Sequence, residues 1–308
     1  MKTLVTGVFS LDDARRAALE ALGLELTVHQ DERTPVADPA RFEAVICNGL
    51  FTFQNIEAFE NLKYIQLTSA GMDRVPMDYI KAHGIEIRNA AGVYSVPMAE
   101  WTVLRLLELC KNAPALLDNQ RAARWEKDRS WLELAGRTAC VVGFGAYGME
   151  TARRLKAFGM NILAVNRTVK DSPLVDAWYP LDRLDEALAE ADSVILAIAL
   201  TDETRDLMDR KRLGKMKPGA VLLNAARGGL VDEDALLEAL DAGRLSGAAL
   251  DVFRAEPLPD TSPLWRHPRV LVSPHNSFVG HHNQTRLTNI VVNNLKAVIS
   301  HDPIHSCE

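Results

Sequence analysis

Short apolar runs rich in Val, Ile and Leu alternate along this chain with stretches whose apolar residues recur every third or fourth position. The first pattern predicts buried parallel strands, the second helices with one buried face. Strands are expected at 2–7, 26–28, 44–47, 62–67 and 85–88, with helices over 14–22 and 78–83. Ser10 and Asp13 have capping-box spacing at the first of these helices. Val103, Leu104, Leu106, Leu107 and Leu109 mark a long helix over 96–112. Strands at 138–142, 161–165, 193–199, 220–223, 248–250 and 270–272 follow, interleaved with helices at 182–191 and 233–240. A terminal helix over 290–299 can return to pack on the first unit. This alternation builds parallel sheets with right-handed crossovers, so an α/β fold is expected. The stretch 118–134 is different, polar and aromatic together, with Trp125 and Trp131 among charges. That composition suits an interface, or packing of both rings within the protomer.

The most specific signal lies at 138–168. An apolar strand runs into Gly143, Gly145 and Gly148 in G-x-G-x-x-G spacing, and a helical pattern and a second strand follow. Gly143 permits the tight turn, Gly145 lets the backbone approach a pyrophosphate, and Gly148 lets helix and strand pack closely. The helix start, including Ala146 and Tyr147, offers free N–H groups and the positive end of a dipole to the phosphates. Strand, turn, helix and strand together make this a dinucleotide site rather than an ordinary glycine turn.

The tip of the second strand bears on which dinucleotide. A carboxylate there would accept bonds from the adenosine ribose of NAD. Asn166, Arg167 and Thr168 stand there instead, offering donors to a 2′-phosphate and no charge to repel it. NADP is therefore favoured over NAD, which stays possible; the plain alternative makes Arg167 a solvated surface residue.

Composition narrows the remaining classes. A length of 308 residues suggests two domains, and 47% hydrophobic with 25% charged residues is ordinary for a soluble globular protein. The net charge of −6 argues against nucleic acid and anionic membrane as partners. No apolar run is long enough to span a membrane, and the N-terminus turns into a strand too quickly for a secretory signal. Cys47, Cys110, Cys140 and Cys307 are scattered and form no C-x-x-C pair, the pattern of a reducing compartment, the cytoplasm.

Ligands of an open parallel sheet bind outside the carboxyl ends of its strands. In the second half of the chain those ends carry the glycine turn, Asn166–Arg167, Leu200 to Thr204, Ala225 to Arg227, Asp251 and His275, with Glu256 close behind. Arg227 can grip a carboxylate at two points and polarise an adjacent carbonyl. His275 can protonate that carbonyl oxygen as a nicotinamide delivers hydride. Glu256 bonded to the other ring nitrogen would fix the imidazole and favour its protonated form. Leu200, Thr204, Ala225 and Asp251 are candidates for the cofactor cradle, Asp251 either on a ribose or structural. His281 and His282 would point apart on a helix, and no carboxylate near them completes a metal site.

Six stretches in this order resemble the D-isomer-specific 2-hydroxyacid dehydrogenases. They are T-S-A-G-M-D at 68–73, V-P-M-A-E at 96–100, V-V-G-F-G-A-Y-G at 141–148, N-A-A-R-G-G-L-V-D-E-D-A-L at 224–236, L-D-V-F-R-A-E-P-L-P at 250–259 and S-P-H-N at 273–276. The resemblance implies two βαβ domains, Rossmann-like and flavodoxin-like, with an interdomain cleft. The substrate domain would comprise 1–97 plus 277–308, and the dinucleotide domain 98–276. It implies Arg227, Glu256 and His275 as the catalytic set, with the backbone N–H groups of Ser69, Ala70 and Gly71 meeting the substrate carboxylate. It further implies a homodimer, and hydride transfer between NAD(P)H and a small 2-oxo acid of the glyoxylate or hydroxypyruvate kind. A short-type phosphoglycerate dehydrogenase and a dinucleotide-sensing corepressor are the alternatives. Asn166 departs from the acidic residue usual in the family and puts NAD in doubt.

Overall fold

The computed structural model describes residues 1–169 and 172–300; Cys307 lies outside them. The chain forms two compact units, one of Met1–Tyr94 with the chain from Gly280 onward, the other Ser95–Val279. The first unit begins β1 (Lys2–Thr6), α1 (Asp13–Glu20), β2 (Glu25–His29), β3 (Ala44–Cys47), α2 (Leu50–Phe53), β4 (Tyr64–Leu67), α3 (Met77–Ala82), β5 (Glu86–Arg88). The second contains α4 (Ser95–Cys110), α5 (Ala113–Arg121), β6 (Thr138–Val142), α6 (Ala146–Ala157), β7 (Asn161–Val165), β8 (Ala177–Tyr179) and α7 (Leu184–Glu190). It continues β9 (Ser193–Leu196), α8 (Arg210–Lys215), β10 (Ala220–Asn224), α9 (Glu233–Asp241), β11 (Leu245–Leu250) and β12 (Val270–Val272). The chain then returns to the first unit as α10 (Asn283–Ser300).

In the first unit five parallel strands lie in the order β2-β1-β3-β4-β5. Both faces are covered, and successive residues of β3 go to opposite ones. Val45 and Cys47 enter the core with Leu50, Ile65 and Ile80. Ala44 and Ile46 enter the other, where Leu287, Val291 and Leu295 of α10 pack at helical spacing. A strand buried on both faces has no polar side to display, hence its unbroken apolar run.

The second unit has seven parallel strands in the order β12-β11-β10-β9-β6-β7-β8. The order reverses between β6 and β9, which places the glycine turn after β6 at the switch point of the sheet. Again two cores flank it, Cys140 and Val142 in one, Ala139 and Val141 in the other. Among the described residues no helix is long and apolar enough to cross a membrane.

Local detail departs from expectation at several points. The capping box at Ser10 and Asp13 does not form. Asp12 caps α1 by accepting from Arg15 N at 2.8 Å, and the Ser10 carbonyl is taken by the Arg15 guanidinium. Part of the 118–134 stretch is helical, as the end of α5. Beyond it Trp125 stands 94% exposed and Trp131 42% exposed, so neither ring packs fully within the protomer.

At the amino ends of β6, β9 and β10 one carboxylate ties three strands. Asp192 accepts from Thr138 N at 2.9 Å and from Lys217 Nζ at 2.7 Å, and lies 3.3 Å from Arg137. Burial alone would raise its pKa, but Lys217, the Thr138 N–H and Arg137 outweigh it and hold the carboxyl below the ordinary 3.8. A folded-state value below the unfolded one stabilises above the ordinary value, and that contribution fades as pH falls through the folded value. Asp192→Asn is expected to cost about 1–3 kcal/mol at neutral pH. Urea midpoints of the two proteins should converge as pH falls below 3.8, and equal midpoints at neutral pH would refute the role.

Candidate active site

The strand order of the second sheet gathers the candidate residues along one edge, the carboxyl ends of β6, β7, β9, β10, β11 and β12. At β6, Gly143 has φ +97°, and a Cβ there would come within 2.5 Å of the Ala197 carbonyl at the end of β9. A Cβ on Gly148 would meet the Gly143 carbonyl at 2.2 Å, so α6 can lie this close to its strand only with glycine there. Gly145 faces open space, with nothing within 4 Å of its Cβ direction, and caps α6 with no side-chain bond to the helix N–H groups. Ala146 and Tyr147 are the first residues of α6. An uncapped helix start behind an open glycine fits a pyrophosphate. The Tyr147 hydroxyl lies 2.7 Å from Thr102 Oγ1, and burial raises its pKa well above the usual range.

At β7, Asn166 turns its amide onto the Thr168 carbonyl at 3.0 Å, while Arg167 and Thr168 are exposed. Past β9, Leu200 lies over Gly229, and the Thr204 hydroxyl is spent on its own turn, accepting from Thr201 N and donating to Ala199 O, both at 2.7 Å. Ala225, past β10, is buried.

Arg227 follows β10 on a turn fixed by Asn224, a buried residue that sequence reasoning missed. Asn224 Nδ2 donates to the Arg227 carbonyl at 2.9 Å, and its Oδ1 accepts from Ala226 N at 3.1 Å. Arg227 Nη1 donates to the Ala226 carbonyl at 2.8 Å. A Cβ on the next residue, Gly228, would fall 1.9 Å from the Phe253 carbonyl carbon. Glycine thus lets the Arg227 turn press against the loop beyond β11, where Glu256 Oε1 accepts from Phe253 N at 2.9 Å.

The other oxygen of that carboxylate, Glu256 Oε2, lies 2.6 Å from His275 Nδ1. Both side chains are about one-third exposed, at 34% and 31%. This contact leaves Nε2 as the ring nitrogen free for a reacting atom, and the Phe278 ring stands edge-on at 6.0 Å. His275 adopts φ +49°, a region that side-chain-bearing residues seldom occupy.

Asp251 accounts for that backbone. Its carboxylate, fully buried, accepts from Ser273 Oγ at 2.6 Å, Asn276 N at 3.0 Å and Ser277 N at 2.8 Å. Its carbonyl accepts from His275 N at 2.8 Å, and Trp101 Nε1 donates to Ser273 Oγ at 3.0 Å. The side-chain oxygens of this cofactor candidate are therefore engaged on the His275 loop. Ser277 and Trp101 carried no sequence signal, and Ser273 only its place in the S-P-H-N stretch.

In the first unit, Ser69, Ala70 and Gly71 form the turn after β4. Their carbonyls accept from Ala90 N at 2.9 Å, Asn89 Nδ2 at 2.7 Å and Ser69 Oγ at 2.9 Å respectively. The His281 and His282 rings lie 3.9 Å apart, and no group of three or more metal-ligating side chains occurs among the described residues.

The second unit matches the D-isomer specific 2-hydroxyacid dehydrogenase NAD-binding domain over residues 103–277. A D-3-phosphoglycerate dehydrogenase of Archaeoglobus fulgidus is 32% identical over 281 residues, 89% of this chain but 53% of that protein, so the chain spans about half its length. A hydroxypyruvate reductase of Blautia hydrogenotrophica is 28% identical over 99% of both chains. The solved glyoxylate reductase of Paecilomyes thermophila superposes with TM-score 0.84 at 29% identity, covering 97% of this chain and 95% of its own. With these motifs on this sheet, the chain belongs to the D-isomer-specific 2-hydroxyacid dehydrogenases, NAD(P)-dependent oxidoreductases of the CH–OH group.

Proposed function

We propose that the protein reduces small 2-oxo acids of the glyoxylate or hydroxypyruvate kind and takes NADPH in preference to NADH. The observation that carries the reading is the 2.6 Å contact between Glu256 and His275 at the sheet edge that holds the glycine turn. A nicotinamide nucleotide bound at that turn supplies the hydride. His275 gives its Nε2 proton to the carbonyl oxygen as the hydride reaches the carbon, and takes it back in the reverse direction. Glu256 holds the ring by Nδ1 and fixes its orientation. Arg227 binds the substrate carboxylate and polarises the carbonyl. The backbone N–H groups of Ser69, Ala70 and Gly71 are suited to an anion such as a carboxylate; the internal bonds of their carbonyls, which fix the turn, support this.

A short-type phosphoglycerate dehydrogenase is the second reading, favoured by the Archaeoglobus fulgidus relative. The free, buried Cys47, Cys110 and Cys140 support a reducing compartment, the cytoplasm. Exposed Trp125, Trp131, Leu132, Leu104, Leu116 and Leu117 support a homodimer built through the second unit.

Three outcomes follow from this reading. His275→Ala should lower kcat by about 10²–10⁴, the range for loss of a general acid. Glu256→Gln, which can still accept a bond from the ring, should retain more kcat than Glu256→Ala, and Arg227→Ala should act chiefly on KM. Steady-state kinetics with glyoxylate and hydroxypyruvate measure all four variants, and full kcat in His275→Ala would refute the mechanism. For the cofactor, exposed Arg167 should give a higher kcat/KM with NADPH than with NADH. Arg167→Ala should lower the NADPH value about 10- to 100-fold, as expected for a charge-assisted contact. Equal wild-type efficiencies would reject the preference. For assembly, sedimentation at micromolar concentration should give a dimer mass, and Trp125→Glu should weaken it. A monomeric wild type would exclude the interface.

A further inference from the structure

Arg74 lies three residues beyond Gly71, a stretch that can span no more than about 11 Å. It is exposed, and among the described residues it makes no hydrogen bond or ion pair. Its Cδ passes 3.6 Å from where a Cβ on Gly49 would stand, so the side chain runs beside the Asn48–Gly49 turn at the end of β3. Strands β3 and β4 are paired neighbours, so this turn and the Ser69–Gly71 turn share one edge of the first sheet.

Glu32, an acid at that turn, makes no ion pair with Arg74. Glu32 is 8% exposed and already accepts from Thr6 Oγ1 at 2.7 Å, Asn48 N at 2.7 Å and Gly49 N at 2.8 Å. A guanidinium with its planar fork uncommitted, carried beside a rigid turn, is arranged to take an anion at two points.

We propose that Arg74 is a specificity-determining residue that binds a second anionic group, at the far end of a 2-oxo or 2-hydroxy acid whose first carboxylate lies at the Ser69–Gly71 turn. This rests on the 2-oxo acid reductase reading above. A monocarboxylate such as glyoxylate leaves the guanidinium in water at no cost. A four-carbon diacid or a three-carbon phosphorylated acid exchanges that water for a charge-assisted contact. A single exposed arginine supports a gain of about tenfold, weakened by salt.

Two measurements on the full chain, as wild type and Arg74→Gln, test the assignment. In the first, thermal protection by D-malate and by D-3-phosphoglycerate is compared with that by D-lactate, in the presence of NADP. The wild type should be protected more by at least one doubly anionic acid than by lactate, and Arg74→Gln should lose that excess. Malate and phosphoglycerate separate a carboxylate from a phosphate as the preferred second group. Protection that is absent, equal for all three acids, or unchanged by the substitution overturns the proposal. In the second, kcat/KM for oxaloacetate and for phosphohydroxypyruvate, each relative to glyoxylate, is measured with NADPH. The ratio for the preferred acid should fall about tenfold in Arg74→Gln, through KM. An unchanged ratio overturns the role of Arg74 alone, whereas failure of every 2-oxo acid to turn over overturns the reductase reading.

Discussion

The His275 loop of the second unit depends on one buried carboxylate. The Asp251 carboxylate stands at the end of β11 with no exposure to water, and burying an unpaired carboxylate would cost several kcal/mol. Here the desolvation is offset by a hydroxyl and two consecutive backbone N–H groups from the loop beyond β12. Those bonds clamp positions 273, 276 and 277, and the Asp251 carbonyl holds the amide of 275 between them. A histidine at φ +49° is unfavourable alone but tolerable when its neighbours are fixed on both sides. The imidazole is thus aimed by backbone, and Glu256 sets only its rotation.

Sheet topology brings that histidine to the edge that carries the glycine turn. Because strand order reverses between β6 and β9, the crevice above the glycine turn opens at the same edge where β10, β11 and β12 end. Two close backbone approaches then set the spacing. Gly143 lets β6 turn beneath the Ala197 carbonyl, and Gly228 lets the Arg227 turn touch Phe253. A methyl group at either position would push these neighbouring loops apart.

What the sequence disclosed and what it withheld divide by range. The inner strands were legible because burial on both faces forces unbroken apolar runs, and the glycine turn because Gly143 and Gly148 answer steric demands of the fold. The three-residue edge strand β8, Ala177–Tyr179, escaped notice because so short a run has no periodicity. The six-residue α8 escaped because Arg210–Lys215 has a single buried apolar residue, Leu213. In the site, Glu256 and His275 could be expected to meet because both follow strand ends of one sheet. The partners of Asp251 could not be foreseen. They come from 22 to 26 residues downstream, and the tryptophan that completes the network lies 172 residues before Ser273. No local pattern encodes a contact of that range.

The first unit repeats the device at its own sheet edge. Glu32, also buried, gathers one hydroxyl, from Thr6, and two consecutive backbone N–H groups, from Asn48 and Gly49. Asp251 gathers one hydroxyl and two consecutive N–H groups in the same way. In both units a carboxylate inside the protein fixes a loop that carries or adjoins exposed polar side chains. Loops held only by apolar packing would need buried side chains of their own, and turns this short have few to bury. Charge-assisted bonds to backbone place the constraint on the main chain rather than on the side chains of His275 and Arg74. Rigid loops with free side chains are what orientation of a small acid requires, since positioning errors of about 1 Å can cost 10²-fold in rate.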